Sequence, residues 1–192
     1  MKVIGLTGNM GCGKSTVAAM LRRRGVATID LDRTARQIRQ NDGEARGEIQ
    51  ARFGTIDARQ LASIVFADAA ALRDLEAILH PRVRDAARAR LAELAEHGVS
   101  VAAVEAIKLL ESPLHDACDQ VWVVRCDEAD AVRRTISSRN MTEDEARARL
   151  ASQSPQDEKA RAADVVIDGS ARIEQTRAQV EAALDALLAA HS

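Results

Sequence analysis

Within its first sixteen residues the chain reads Gly8-Asn9-Met10-Gly11-Cys12-Gly13-Lys14-Ser15-Thr16, which fits G-x-x-x-x-G-K-[ST]. Glycines at 8, 11 and 13 let a backbone curl closely around a phosphate with its N–H groups turned inward. A helix starting at the end of such a loop adds the positive end of its dipole. Lys14 reaches outer phosphates, and the Ser15 hydroxyl can enter the shell of a Mg²⁺ ion. The chemistry is that of a bound nucleoside triphosphate; a Gly-rich turn with an incidental lysine is the plain alternative. Asp30 and Asp32, two residues apart, are the next candidates. One carboxylate can hold a water of the magnesium, and the other can take a proton from an attacking hydroxyl. Asp32 also stands where an N-cap would, ahead of Thr34-Ala35-Arg36-Gln37-Ile38, so the two roles stay open. Glu105, after an apolar run, is a third acid suited to face the metal.

The elements around these residues give them their places. Val3-Ile4-Gly5-Leu6 is short and apolar, as a buried parallel strand should be. Val17, Met20 and Leu21 follow at helical spacing, and Arg22-Arg23-Arg24-Gly25 stops that helix. Val26-Ala27-Thr28-Ile29 reads as a second strand that delivers Asp30 and Asp32 to its C-terminal end, the edge where open parallel sheets bind ligands. Val99 to Val104, Val121-Trp122-Val123-Val124 and Asp164 to Asp168 supply three more strands. Residues 41–97 are expected to be helical, with His80-Pro81 breaking a run and Pro81 in the first turn of a new helix to Glu96. Thr142-Glu143-Asp144-Glu145 is a capping box. The short polar helix that follows has little to anchor it, which suits a mobile lid whose arginines close on a transferring phosphoryl group. Ile173, Thr176, Val180, Leu184, Leu187 and Leu188 are expected to make the inner face of a long closing helix. Strands alternating with helices make an α/β fold with a five-stranded parallel sheet flanked by helices.

Composition narrows the function further. At 192 residues the chain is expected to be a single domain. Its aromatic share is 2%, so base stacking on aromatics cannot be the main mode of ligand binding, and a net charge of −2 gives no reason to expect nucleic-acid binding. Cys12, Cys118 and Cys126 are odd in number and without paired spacing, which argues against a disulfide or zinc framework and fits a reducing cytoplasm. No apolar run is long enough to cross a membrane.

Taken together, the sequence resembles the dephospho-CoA kinase family over nearly its whole length. The resemblance rests on Ile4-Gly5-Leu6-Thr7-Gly8 entering the loop, Ile29-Asp30-Leu31-Asp32 with Ala35-Arg36, and Ile64-Val65-Phe66. It continues through Leu75-Glu76-Ala77-Ile78-Leu79-His80-Pro81, Ser138-Arg139-Asn140 leading into Glu143, then Gln153, and Ala163 to Asp168. It implies a P-loop NTPase fold with a core of about residues 1–32, 98–132 and 163–192, a helical acceptor-binding insertion of about 33–97 and a helical lid of about 133–162. It implies transfer of the γ-phosphoryl of ATP to the ribose 3′-hydroxyl of dephospho-CoA, with Mg²⁺, giving CoA and ADP.

By the same resemblance Asp32 is the general base, Arg139 lies over the ATP, and Lys14 and Arg139 act on the transferring group. Gly8, Gly11, Cys12, Gly13, Lys14, Ser15 and Thr16 hold the ATP. Asp32, Arg36 and His80 meet the acceptor, and Ser15 holds Mg²⁺ with Asp30 or Glu105 through water. The expected protein is a cytoplasmic monomer or weak homo-oligomer. The chain departs from the family pattern in Glu105 to Glu111, which keeps a second reading: a nucleoside monophosphate or small-alcohol kinase of the same fold. A nucleotide-binding switch that transfers nothing is a third.

Overall fold

The apolar run ahead of the glycine loop forms β1 (Lys2–Thr7), and the computed structural model places it at the centre of the sheet. Residues 1–139 and 141–190 are described, without the side chains of Phe66 and Arg139. The other strands are β2 (Ala27–Asp30), β3 (Val101–Glu105), β4 (Gln120–Arg125) and β5 (Val165–Asp168), in the order β2-β3-β1-β4-β5. β1 runs parallel to β3, with Leu6 opposite Glu105, and parallel to β4, with Leu6 opposite Trp122; β4 runs parallel to β5. A central parallel strand must bury both faces, and residues 3–7 are buried throughout.

The helices are α1 (Lys14–Arg23), α2 (Leu31–Asn41), α3 (Gly43–Phe53), α4 (Ala58–Ala67), α5 (Ala69–Glu96), α6 (Glu128–Arg139), α7 (Glu143–Ala151), α8 (Gln156–Arg161) and α9 (Ile173–Ala189). The chain divides into two compact units, residues 1–29 with 94–192, and residues 30–93. The first holds the sheet and a core of Ile4, Leu6, Val17, Leu21, Trp122, Ile167 and Leu184. That core is aliphatic apart from Trp122, whose buried indole Nε1 donates to Gln120 Oε1 at 2.9 Å. The second has its own core, built on Ile49, Leu61, Val65, Ala71 and Leu79. Asp42 and Asp57 cap α3 and α4 by accepting backbone N–H groups of the first turns. Arg82 reaches Glu48 at 2.7 Å.

Three local expectations need correction. Pro81 does not end a helix: α5 runs unbroken from Ala69 to Glu96. Proline removes one hydrogen bond and strains the preceding turn, but buried Leu79 and Val83 anchor the helix on either side of it. The Arg82 side chain also donates to the Ile78 carbonyl at 2.8 Å. The cap of α2 is Asp30, which accepts the Arg33 N–H at 2.8 Å, and not Asp32, because the helix begins at Leu31 directly after the strand. The segment expected to lack an anchor has one: Ala146 is fully buried and Leu150 packs on the main core. The capping box of Thr142 and Glu145 forms as the sequence indicates.

Candidate active site

The loop after β1 has the backbone its glycines require. Gly8 has φ 144° and Gly11 φ 80°, and a Cβ would lie 2.2 Å from the Val124 carbonyl oxygen at Gly8 and 2.3 Å from that of Ala131 at Gly11. Only glycine allows both the conformation and the approach. Gly13 starts α1 with its carbonyl, which accepts from the N–H of Thr16 and Val17, each at 3.0 Å. No side chain caps this helix, so its positive end faces the loop uncovered. Lys14 is its first residue and is buried. Ser15 Oγ donates to Glu105 Oε1 at 3.2 Å, and Glu105, at the end of β3, is itself buried.

The residues fit a nucleoside triphosphate with a hard cation. The cradle is backbone shaped by glycine, and two buried polar atoms at its edge, Asn9 Oδ1 and Thr135 Oγ1, have no hydrogen-bond partner. A hydroxyl and a carboxylate side by side are oxygen donors of the kind Mg²⁺ takes, with water and phosphate completing its shell. No cluster of three or more His, Cys, Asp or Glu that could hold a metal occurs among the described residues.

Cys12 and Cys126 correct another expectation: they form a disulfide, with their Cα atoms 5.1 Å apart. The 114 residues between them hid the pairing. It arises because Cys12 follows β1 and Cys126 follows β4, two neighbouring strands with their ends at one edge. Cys118 is the free cysteine, and burial first, then the charge of Asp119, pushes its thiol up to about 11.

The chain after α7 braces the same loop. Gln153 Oε1 accepts the Met10 N–H at 3.0 Å while its amide donates to the Arg149 carbonyl at 2.9 Å. Asn9 Nδ2 donates to the Ser154 carbonyl at 3.3 Å. Gln156 takes the Cys126 N–H at 2.9 Å and gives a hydrogen bond to the Cys126 carbonyl at 3.0 Å. Gln156 and Cys126 carry no local signal that would mark them from sequence.

Two hollows flank the loop. One of about 260 Å³ is bordered by Cys12, Gly13, Thr16, Arg134, Gly169 and Thr176. Arg134 Nη1 donates to the Gly169 carbonyl at 2.7 Å across its rim. The other, of about 530 Å³, is bordered by Asn9, Cys126, Arg147, Leu150, Gln153 and Gln156, among others.

Gly8, Gly11, Cys12, Gly13, Lys14, Ser15, Thr16 and Glu105 thus gather at one end of the sheet. Asp30, Asp32, Arg36 and His80 belong to the second unit, and Arg139 to the first. Asp30 is the helix cap. Asp32 lies exposed in the first turn of α2, and Arg36 Nε donates to its carbonyl at 3.2 Å. His80 is exposed on α5. Arg139 ends α6, but its side chain, like Asn140, lies outside the described residues.

Comparison with known proteins gives a consistent result. The model of the dephospho-CoA kinase family matches residues 2–175. A dephospho-CoA kinase of Geobacter sulfurreducens is 42% identical over 189 residues, 94% of this chain and 96% of that protein. One from Shouchella clausii is 37% identical over 94% of this chain and 96% of its own length. A solved protein of Thermus thermophilus superposes with a TM-score of 0.81 at 34% identity, covering 100% of this chain and 98% of that one. The dephospho-CoA kinase from Campylobacter jejuni shares the fold, with a TM-score of 0.69 at 24% identity, covering 97% and 98% of the two chains.

Proposed function

The chain belongs to the dephospho-CoA kinase family, and on that premise we propose how its residues divide the reaction. The enzyme transfers the γ-phosphoryl of ATP to the ribose 3′-hydroxyl of dephospho-CoA, releasing CoA and ADP, a step of coenzyme A biosynthesis. The observation that carries this reading furthest is the glycine cradle feeding an uncapped helix start, with Ser15 hydrogen-bonded to Glu105 beside it.

The backbone from Gly8 to Thr16 holds the phosphates, and Lys14 offsets charge on the outer ones. Ser15 and Glu105 would hold Mg²⁺, which neutralises phosphate charge when bound. Phosphoryl transfer asks little covalent work of a protein, so positioning and charge compensation carry most of it. Asp32 takes the proton of the attacking ribose hydroxyl. Its carboxylate is not used as the cap of α2, since Asp30 does that work. Arg36 and His80 meet the acceptor, and Arg139 closes over the ATP. The insertion 33–97 is the acceptor side and 133–162 the lid. We place the enzyme in the cytoplasm, as a monomer or weak homo-oligomer; no described helix is long and apolar enough to cross a membrane.

The test is ADP release with Mg²⁺-ATP against a panel of acceptors. Dephospho-CoA should accelerate it far more than nucleoside monophosphates or small alcohols. Preference for one of those instead would favour the second reading, which the unusual segment Glu105 to Glu111 motivates.

A further inference from the structure

Lys159, on α8, is 2% exposed, among the largest side chains fully buried in the protein. Its Nζ donates to the Ile107 carbonyl at 2.9 Å. The same carbonyl accepts Thr7 Oγ1 at 3.1 Å, and Thr7 is the last residue of β1, next to Gly8. Three segments therefore meet on one oxygen: the entry to the phosphate loop, the segment leaving β3 after Glu105, and α8. No described carboxylate forms an ion pair with Lys159.

A buried ammonium held by one carbonyl is expensive, because its lost hydration is only partly replaced. Burial, as the largest cause, pushes its pKa below the ordinary lysine range; Glu111 opposes this, while the charges of Lys14 and Lys108 add to it. Lys14 and Lys159 therefore feel each other. An anion seated at Lys14 would add to the negative charge that Glu111 already sets against Lys159. Gln156, one turn earlier on α8, already grips Cys126 beside the loop, so the helix bearing Lys159 is fixed to the cradle independently.

We propose that Lys159 is a positioning residue for phosphoryl transfer, pinning the Ile107 carbonyl to the entry of the phosphate loop and adding a buried positive charge to the field that bound triphosphate meets. It acts through Ile107 and through the field at the phosphates, without being assigned a contact to substrate. This rests on the reading of the loop as the ATP site.

The test uses Lys159→Met, Lys159→Gln and Lys159→Arg in the full chain. Each is checked for folding by circular dichroism and Tm, then for the Kd of ATP without acceptor and for kcat with dephospho-CoA. Loss of a hydrogen bond to a charged group sets the scale, so Lys159→Met should weaken ATP binding about tenfold or more and lower kcat per folded molecule. Lys159→Arg, which keeps charge and donor, should recover both to within about threefold of the parent. Lys159→Gln, a donor without charge, should recover part of kcat and none of the ATP affinity. An unchanged Kd and kcat in Lys159→Met overturns the proposal, as does a loss that Lys159→Arg fails to restore. Should Lys159→Met not fold, an unchanged ATP affinity in Lys159→Gln overturns it instead. A parent enzyme that binds ATP but ignores dephospho-CoA would count against the assigned reaction, not against Lys159.

Discussion

Gly169 lies far outside the glycine motif, yet the structure makes the phosphate loop depend on its missing side chain. Its N–H donates to the Arg125 carbonyl at 2.8 Å and its carbonyl accepts Arg134 Nη1 at 2.7 Å, so its position is held from both sides. A Cβ there would lie 2.0 Å from the Cys12 carbonyl oxygen, where ordinary contact begins near 3.4 Å. Neither side can yield cheaply, since the obstacle is backbone and Cys12 is bonded to Cys126. Overpacking of this kind costs about 1–3 kcal/mol. If it all falls on the nucleotide-bound loop, the Kd of ATP for Gly169→Ala rises about 5- to 150-fold. If it all falls on folding, the urea midpoint drops by about 0.5–1.5 M at a slope near 2 kcal/mol/M. Calorimetric titration of ATP and urea unfolding of the same preparation measure both shares. Gly25→Ala is the control: Gly25 has φ 83° with nothing within 4 Å of a Cβ, so it should lose about 1–2 kcal/mol of stability and no ATP affinity. A Gly169→Ala protein with both its midpoint and its ATP affinity unchanged would refute the argument that the loop cannot move away from residue 169.

Other expectations follow from the same geometry. Asp32→Asn should bind ATP as before and turn over about a hundredfold more slowly or worse, the range for a lost general base, measured as initial ADP release at saturating substrates. Near-parental turnover would remove Asp32 from that role. Glu105→Gln keeps a partner for Ser15 but loses the charge; it should raise the Mg²⁺ concentration giving half-maximal rate, and an unshifted magnesium titration would exclude Glu105 from the metal's surroundings. In denaturant without reductant, one thiol per chain should react, that of Cys118, and three after reduction. In the native protein at pH 8 that thiol should alkylate slowly, because a pKa pushed up to about 11 leaves roughly one part in a thousand as thiolate.

The parts of the site that could be read from the chain are those whose chemistry is local. The cradle needs glycines at fixed offsets, and a strand before and a helix after it; all of that sits within residues 3–21 and appears as expected. The sheet was legible for a similar reason, since a parallel strand buried on both faces writes an unbroken apolar run such as Val121 to Val124. Helix limits were less so. Asp30 and Asp32 are both competent caps, and the choice fell to Asp30 only because β2 passes into α2 with no loop between them. Pro81 reads as a breaker by its own chemistry, and burial of its neighbours overrides it.

What could not be read is what holds the cradle in shape. Cys126, Gln156, Lys159 and Gly169 lie more than a hundred residues beyond the loop, and they come near it because β4 and then β5 lie on the same side of β1 in the sheet. Their residue types are common, and no spacing marks them. A buried lysine in a short polar helix reads as solvated surface until the fold is known. A phosphate loop built from glycines has little stiffness of its own, since glycine is the residue with the most conformational freedom to lose. Rigidity must therefore be supplied by neighbours, here a covalent bond at Cys12, an amide at Met10 and a close backbone approach at Gly169. The motif determines which ligand the loop can hold, and these distant contacts determine whether it keeps the shape needed to hold it.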